Sequence, residues 1–84
     1  MLTLYTKAIC PFCTRAKAWL QKNEIAYQEI DISEDNTARD MLREHGHKTI
    51  PQLYLNGEVF VEGGYEGLSQ QDPKILKERI AART

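Results

Sequence analysis

The chain has 84 residues, a formal net charge of −1, 42% hydrophobic residues and 27% charged residues. This length suits one small domain over residues 1–84, and the charge balance excludes the strongly basic surface that nucleic acids or anionic membranes require. No apolar run reaches the length of a transmembrane helix, no leader pattern occurs, and the two cysteines fit a reducing compartment. We therefore expect a cytoplasmic monomer with no membrane or nucleic-acid partner.

The first third of the sequence predicts a strand, a helix and a second strand. Residues 2–5 alternate between apolar and polar side chains, and residues 6–9 carry this strand into a turn. A helix is predicted from Pro11 to about Lys22, since Phe12, Ala16, Trp19 and Leu20 recur at helical spacing. Trp19 is expected to lie in the core. Residues 25–32 predict a second strand, parallel to the first, with a right-handed crossover.

A second helix is predicted to begin after a cap at Ser33 or Asp35 and to run to about His45, with Gly46 ending it. Its apolar side chains are Met41 and Leu42. Its charged residues are expected to form a solvated face, to which we assign no chemistry. They are Glu34, Asp35, Arg39, Asp40, Arg43 and Glu44.

The last third predicts a hairpin followed by a helix. Residues 52–55 and 58–61 read as strands, and Asn56-Gly57 between them favours a tight type I′ turn. A short helical turn over 65–71 precedes a final helix that starts at Pro73 and is amphipathic, with Ile75, Leu76 and Ile80 as its apolar side chains. The order βαβαββα predicts an α/β fold with a four-stranded mixed sheet flanked by helices.

The segment Cys10-Pro11-Phe12-Cys13 contains both cysteines and lies where the first strand meets the first helix. Pro11 favours an extended Cys10 and suits the first helical position. Unpaired N–H groups and the positive end of the helix dipole would stabilise a thiolate at Cys10, and a thiolate is the form that attacks disulfides. Because C-x-x-C beside a βαβ pattern is typical of redox dithiols, this interpretation is preferred.

The cysteine pair has two other interpretations. A structural disulfide would close a very short loop and so remove little chain entropy from the unfolded state. A metal site would need His45 and His47 as further ligands, but these two histidines are closer together than zinc-finger spacing allows. No metal is therefore expected.

Three motifs occur together: Tyr5-Thr6-Lys7 leading to Cys10-Pro11-Phe12-Cys13, then Thr49-Ile50-Pro51, then Gly63-Gly64. In order and spacing they resemble the glutaredoxins of the thioredoxin-like fold, across nearly the whole chain. The resemblance implies a glutathione-dependent thiol–disulfide oxidoreductase, with Cys10 as nucleophile, Cys13 as resolving thiol and a Cys10–Cys13 redox disulfide. Glutathione would be the reducing co-substrate, and disulfide-bonded or glutathionylated proteins, ribonucleotide reductase among them, would be the partners.

The same resemblance implies a set of glutathione-binding residues. Lys7 would meet the glycyl carboxylate, and a cis peptide bond before Pro51 would leave the Ile50 backbone free to pair with the cysteinyl part. The amides of the Gly63-Gly64 turn would receive the γ-glutamyl carboxylate. The full set is Lys7, Phe12, His47, Thr49, Ile50, Pro51, Gly63, Gly64, Tyr65 and Glu66.

The sequence departs from the family pattern at a few positions. His47 stands where Gln or Arg is frequent, so it is either a pH-dependent contact to the glycyl carboxylate or a surface histidine. Glu66-Gly67 stands where an acidic pair is frequent, which leaves the partner of the γ-glutamyl ammonium open. Phe12 in place of the more common Tyr loses only a hydroxyl.

Two related functions stay open at this level. One is a glutaredoxin-like electron donor for ribonucleotide reductase that thioredoxin reductase reduces. The other is a module that binds an iron–sulfur cluster between two monomers through Cys10 and glutathione. Pro11 disfavours the cluster, because cluster-binding relatives usually lack this proline.

Overall fold

The structure, a computed structural model, describes residues 1–83. Its strands are β1 (Leu2–Thr6), β2 (Tyr27–Asp31), β3 (Gln52–Leu55) and β4 (Glu58–Val61). Its helices are α1 (Pro11–Lys22), α2 (Asn36–Glu44), α3 (Gly64–Ser69) and α4 (Pro73–Arg83). The predicted α/β fold with a mixed four-stranded sheet flanked by helices is confirmed. The short turn predicted over 65–71 is a six-residue helix, so the order contains one helix more than βαβαββα.

The sheet has the strand order β2-β1-β3-β4. Strand β1 pairs in parallel with β2 and antiparallel with β3, and β3 pairs antiparallel with β4. The parallel pair needs a crossover connection, which α1 provides. Asn56 and Gly57 both have positive φ angles, 54° and 82°, as a type I′ turn requires. The predicted hairpin is therefore confirmed.

The core lies on the face of the sheet that carries Leu2 and Leu4 of β1 and Leu53 and Leu55 of β3. These side chains share one face because residues two apart in a strand point the same way. Helices α1, α3 and α4 cover them with Ala16, Leu20, Leu68 and Leu76, all fully buried. Trp19 packs against this cluster while half-buried, so it borders the core that it was predicted to enter.

Helix α2 contributes to the other side of the sheet. Tyr54 lies between Leu53 and Leu55, so it points away from the main core, and its ring stacks on His45 at the end of α2. Asp35 is the N-cap of α2, where its carboxylate accepts a 2.9 Å bond from the Ala38 N–H. Of the two predicted caps, Ser33 and Asp35, only Asp35 caps α2. Ser33 instead accepts a 3.0 Å bond from the Ala8 N–H, which ties the loop before the cysteines to the β2–α2 connection.

The three apolar side chains of the last helix differ in burial. Ile75 is 54% exposed, whereas Leu76 is fully buried and Ile80 is half-buried. Adjacent residues point in directions about 100° apart on a helix of 3.6 residues per turn, so Ile75 and Leu76 need not share a face. Within residues 1–83, no helix combines the length and the apolar character needed to cross a membrane.

Candidate active site

Cys10 is the N-cap of α1, with extended backbone angles (φ −133°, ψ 102°) and proline directly after it. Its sulfur accepts a 3.2 Å hydrogen bond from the Cys13 N–H, one of the first amides of the helix. The Cys10 side chain is partly exposed, and the two cysteines are not joined in a disulfide. This arrangement places a reachable sulfur at the positive end of the helix, where negative charge is stabilised.

Cys13 lies one turn into α1 and is 2% exposed. Burial raises the pKa of the Cys13 thiol to about 12, and its hydrogen bond to Cys10 contributes further to the rise. The two cysteines therefore differ chemically. Cys10 is accessible, while Cys13 keeps its proton at neutral pH and is held against Cys10.

We expect brief treatment of the reduced protein with iodoacetamide at pH 7 to modify Cys10 and to leave Cys13 unmodified, because alkylation needs an accessible thiolate. Mass spectrometry of tryptic peptides measures both sites, and protein in 8 M urea is the control in which both react. Equal labelling of the two cysteines in the folded protein would contradict the assignment.

The raised pKa also predicts a pH dependence of stability. The unfolded chain releases the Cys13 proton near its ordinary pKa of 9.0, whereas the folded chain holds it until about pH 12. The folded state binds more protons across this interval, so the free energy of unfolding falls as the pH rises through it. Urea titrations of the protein and of Cys13→Ala at pH 8 and pH 10 measure this. The decline should be smaller in the variant.

The residues around Cys10 present apolar surface to solvent. Ile9 is 97% exposed and has a left-handed φ of 54°, which is rare for a β-branched residue. Phe12 is 53% exposed, and the Arg15 guanidinium lies over its ring at 5.4 Å. An exposed apolar rim of this kind suits contact with a bound partner molecule.

Beside Phe12 lies a groove of about 270 Å³, which we name the cis-proline groove. The peptide bond before Pro51 is cis, as expected, and the Gln52 amide steadies this loop with a 2.8 Å bond to the Thr49 carbonyl. The groove brings together eight of the ten predicted glutathione-binding residues. They are Phe12, Thr49, Ile50, Pro51, Gly63, Gly64, Tyr65 and Glu66.

The double glycine has a structural reason. Gly63 and Gly64 both adopt positive φ angles, 87° and 59°, and a Cβ on Gly64 would lie 3.2 Å from the Pro51 carbonyl oxygen. Glycine thus lets the turn before α3 close against the proline loop. Gly67, one turn later, is more tightly constrained, because a Cβ there would overlap the Glu62 carbonyl oxygen. The missing acidic side chain at position 67 therefore reflects the close approach of α3 to the end of β4.

Lys7 and His47, the other two predicted residues, lie in a second groove of about 370 Å³. We name it the cationic groove. It adjoins the cis-proline groove, because Thr49 and Ile50 line both. Arg39 and Arg43 of α2, predicted to lie on a solvated face without chemistry, line it as well. The complete lining is Lys7, Ile32, Arg39, Leu42, Arg43, His47, Lys48, Thr49 and Ile50.

His47 is not a free surface histidine. Its Nε2 lies 2.5 Å from the Tyr54 hydroxyl, and Nδ1 of His45 lies 2.9 Å from the same oxygen. The hydroxyl carries one proton, so it donates to one ring and accepts from the other. Burial raises the pKa of Tyr54, with a smaller effect from Tyr5, so this proton stays in place. Only Nδ1 of His47 remains available to a carboxylate.

The same cluster bears on the metal alternative. The two histidines gather around Tyr54, and residues 1–83 contain no group of three or more His, Cys, Asp or Glu side chains arranged to hold a metal ion. The four ligands that the alternative required, the two cysteines and the two histidines, are therefore not brought together.

Comparison with known proteins agrees with this geometry. A sequence model of the glutaredoxin family matches residues 2–60, which contain both cysteines and the cis-proline loop. The chain belongs to the glutaredoxin family. Glutaredoxin 3 of Escherichia coli is 33% identical over 72 residues, which cover 84% of each chain. The structure of glutaredoxin 1 from Francisella tularensis, complexed with cacodylate, aligns with a TM-score of 0.68 at 30% identity, over 90% of this chain and 95% of that one.

The fold is also that of a solved structure with lower sequence identity. The glutaredoxin-like NrdH-redoxin of Escherichia coli, whose structure is described as the basis of a thioredoxin-like activity profile, aligns with a TM-score of 0.69. The alignment covers 92% of this chain and 91% of that one, at 18% identity. At this identity the likeness concerns the fold alone. Membership of the glutaredoxin family makes this chain a thiol–disulfide oxidoreductase by class.

Proposed function

We propose that this glutaredoxin uses glutathione to reduce protein disulfides and mixed disulfides between glutathione and proteins. The observation that carries the proposal is the contrast within the C-x-x-C pair. Cys10 is accessible at a helix N-cap, whereas Cys13 is buried, protonated and hydrogen-bonded to it. A dithiol with one exposed attacking sulfur and one protected resolving sulfur suits sequential thiol–disulfide exchange.

With a glutathionylated protein, the Cys10 thiolate attacks the glutathione sulfur. The bond between the two substrate sulfurs breaks, the protein leaves as a thiolate, and a Cys10–glutathione disulfide forms. The thiolate of a second glutathione then attacks that adduct, which releases Cys10 and yields oxidised glutathione. Each turn of this route consumes one free glutathione, since the other half of the oxidised glutathione is the group that the substrate carried, and Cys13 takes no part.

With a protein disulfide, Cys10 attacks one sulfur, and the other leaves as a thiolate that takes up a proton. Cys13 then attacks the Cys10 sulfur, which releases the substrate and forms the Cys10–Cys13 disulfide. Because its pKa is raised to about 12, Cys13 must lose its proton in this step, and the departing substrate thiolate is a base able to receive it. Two glutathione molecules afterwards reduce the enzyme.

We place glutathione across both grooves. Its cysteinyl part would lie along the Ile50 backbone beside Pro51, with Phe12 and Thr49 as walls. Its γ-glutamyl carboxylate would reach the N–H groups of the turn formed by Gly63, Gly64, Tyr65 and Glu66, and its glycyl carboxylate would reach Lys7 and Nδ1 of His47. The continuity of the two grooves at Thr49 and Ile50 supports this placement.

A second candidate is an electron donor that thioredoxin reductase reduces and that serves ribonucleotide reductase. Two structural observations support this second candidate. Nε2 of His47 is engaged by Tyr54, which leaves one fewer group for the glycyl carboxylate. Gly67 has no side chain to pair with the γ-glutamyl ammonium. Under either function we propose a cytoplasmic monomer, since a dithiol that must be reduced after each turnover suits a reducing compartment.

The test is a coupled assay with a glutathionylated peptide and NADPH. One arm contains glutathione with glutathione reductase, and the other contains thioredoxin reductase. We expect turnover in the glutathione arm. We also expect Lys7→Gln to raise the KM for the glutathionylated peptide several-fold, whereas the control Lys74→Gln, at an exposed position of α4, should not. Turnover in the thioredoxin reductase arm alone would refute the glutathione proposal and support the second candidate.

A further inference from the structure

The cationic groove carries more positive charge than glutathione can use. Lys7, Arg39, Arg43 and Lys48 line it together with His47, and no acidic residue does. The whole chain has a net charge of −1, so this concentration of cations is local. The proposed function assigns one carboxylate to the Lys7 end. Three further cations are thereby left without a role.

These cations are largely without partners in the protein. Across the described residues 1–83, Lys7, Arg43 and Lys48 have no ion-pair partner, and Arg39 has only Asp40, with Nε and Oδ1 separated by 3.6 Å. The Arg39 Nε atom is buried and has no hydrogen-bond partner. The charge of Arg39 is therefore only partly compensated inside the protein, by one loose contact to a carboxylate. The groove is thus prepared for negative charge.

The position of the cationic groove relative to Ile50 indicates which residues of a substrate would enter it. In the glutathione placement, the cysteinyl part lies at Ile50, and the glycyl arm, which follows the cysteine, enters the cationic groove. A peptide bound in the same direction would send the residues after its cysteine into this groove. An extended chain advances by about 3.3 Å per residue, so the first two or three residues after the cysteine would pass these cations.

We propose that the cationic groove binds an acidic segment that directly follows the target cysteine in a protein substrate. Arg39, Arg43 and Lys48 pair with its Asp or Glu carboxylates and so act as specificity determinants. The inference rests on the proposed exchange at Cys10, but it holds whether glutathione or thioredoxin reductase reduces the enzyme. Opposite charges of this kind favour selection and rapid association, and their effect weakens with salt.

The experiment measures one turnover and needs no reductase. Peptides carry one cysteine as its mixed disulfide with 2-thiopyridine. The reduced enzyme attacks the peptide sulfur and releases 2-thiopyridone, which is followed by its near-ultraviolet absorbance. One peptide has Asp-Glu-Asp after the cysteine, a second has Asn-Gln-Asn there, and a third has the acidic residues before the cysteine. At low ionic strength we expect the first to react about five- to tenfold faster than the others, with the difference declining at high salt.

Variants test whether the groove causes the preference. The double variant Arg39→Gln/Lys48→Gln should lower the ratio of the acidic-peptide rate to the neutral-peptide rate to below about twofold. The neutral peptide should react as before, and its unchanged rate shows that the variant is folded. The charge-matched control Lys74→Gln/Lys77→Gln on α4 should keep the ratio. Equal rates for the acidic and neutral peptides, or a preference that survives the groove variant, would overturn this inference but not the proposed exchange at Cys10. If no peptide reacted, the exchange at Cys10 would be refuted and the inference with it.

Discussion

Cys10→Ser is expected to lower the reduction of both glutathionylated peptides and protein disulfides by at least about 10³-fold, because it removes the nucleophile. A serine hydroxyl at the same N-cap still accepts the Cys13 N–H, so the helix start and the fold should be retained. The measurement is the coupled assay, with circular dichroism to check the fold. Substantial remaining activity in a folded variant would show that Cys10 is not the attacking thiol.

The matched variant is Cys13→Ser, one turn further into the helix. We expect it to retain reduction of glutathionylated peptides, since that route uses Cys10 and glutathione only. It should lose the two-thiol route, so that Cys10 stays trapped in a mixed disulfide with a protein substrate, visible on a non-reducing gel. Equal loss of both activities in Cys13→Ser would contradict the division of roles that burial and the raised pKa of Cys13 support.

Gly67→Ala is expected to destabilise the protein by about 2–4 kcal/mol, although alanine is the better helix former. The new methyl group would overlap the Glu62 carbonyl oxygen, and the Glu62 carbonyl carbon lies only 2.9 Å from the same point. Backbone atoms cannot move aside as a flexible side chain can. Helix α3 must therefore shift away from the end of β4, carrying the Gly63-Gly64 turn with it.

The control for this variant is Gly46→Ala. Gly46 has a φ of 82° and nothing within 4 Å of its added Cβ, so only backbone strain of about 1–2 kcal/mol is expected. Urea denaturation measures both free energies of unfolding. If Gly67→Ala cost no more than Gly46→Ala, the close contact between α3 and Glu62 would not be the reason for glycine at position 67.

Local signals in the sequence were sufficient for most of the fold. Alternation in β1, the proline at the start of α1 and the Asn56-Gly57 turn each predict structure from neighbouring residues alone, and the structure confirms them. The position of the C-x-x-C pair at the start of α1 could also be predicted from the sequence, because it follows from Pro11. For these features, local propensity and tertiary packing agree.

What the sequence did not predict depends on contacts between distant segments. Tyr54 reaches His47 because β3 alternates and α2 ends beside it, and nothing near His47 in the sequence indicates that partner. Arg39 and Arg43 looked like ordinary solvated charges until the fold placed them in one groove with Lys7. Gly67 appeared to be a lost acidic residue, whereas the approach of Glu62 explains it. The sequence held one signal of the cationic groove, the excess of cations around the Thr49-Ile50-Pro51 stretch, and one of the close contact at α3, the glycine at position 67.

The residue in front of the nucleophile offers a route to redesign. Ile9 is almost fully exposed and contributes nothing to the core, yet its left-handed backbone is held by the segments on either side of it. A library of substitutions at this one position should therefore change which substrates dock beside Cys10 without disturbing the packing of the core. Asparagine and glycine would sit there most easily, and side chains of other shapes or charges would give an engineered enzyme a different preference among its targets.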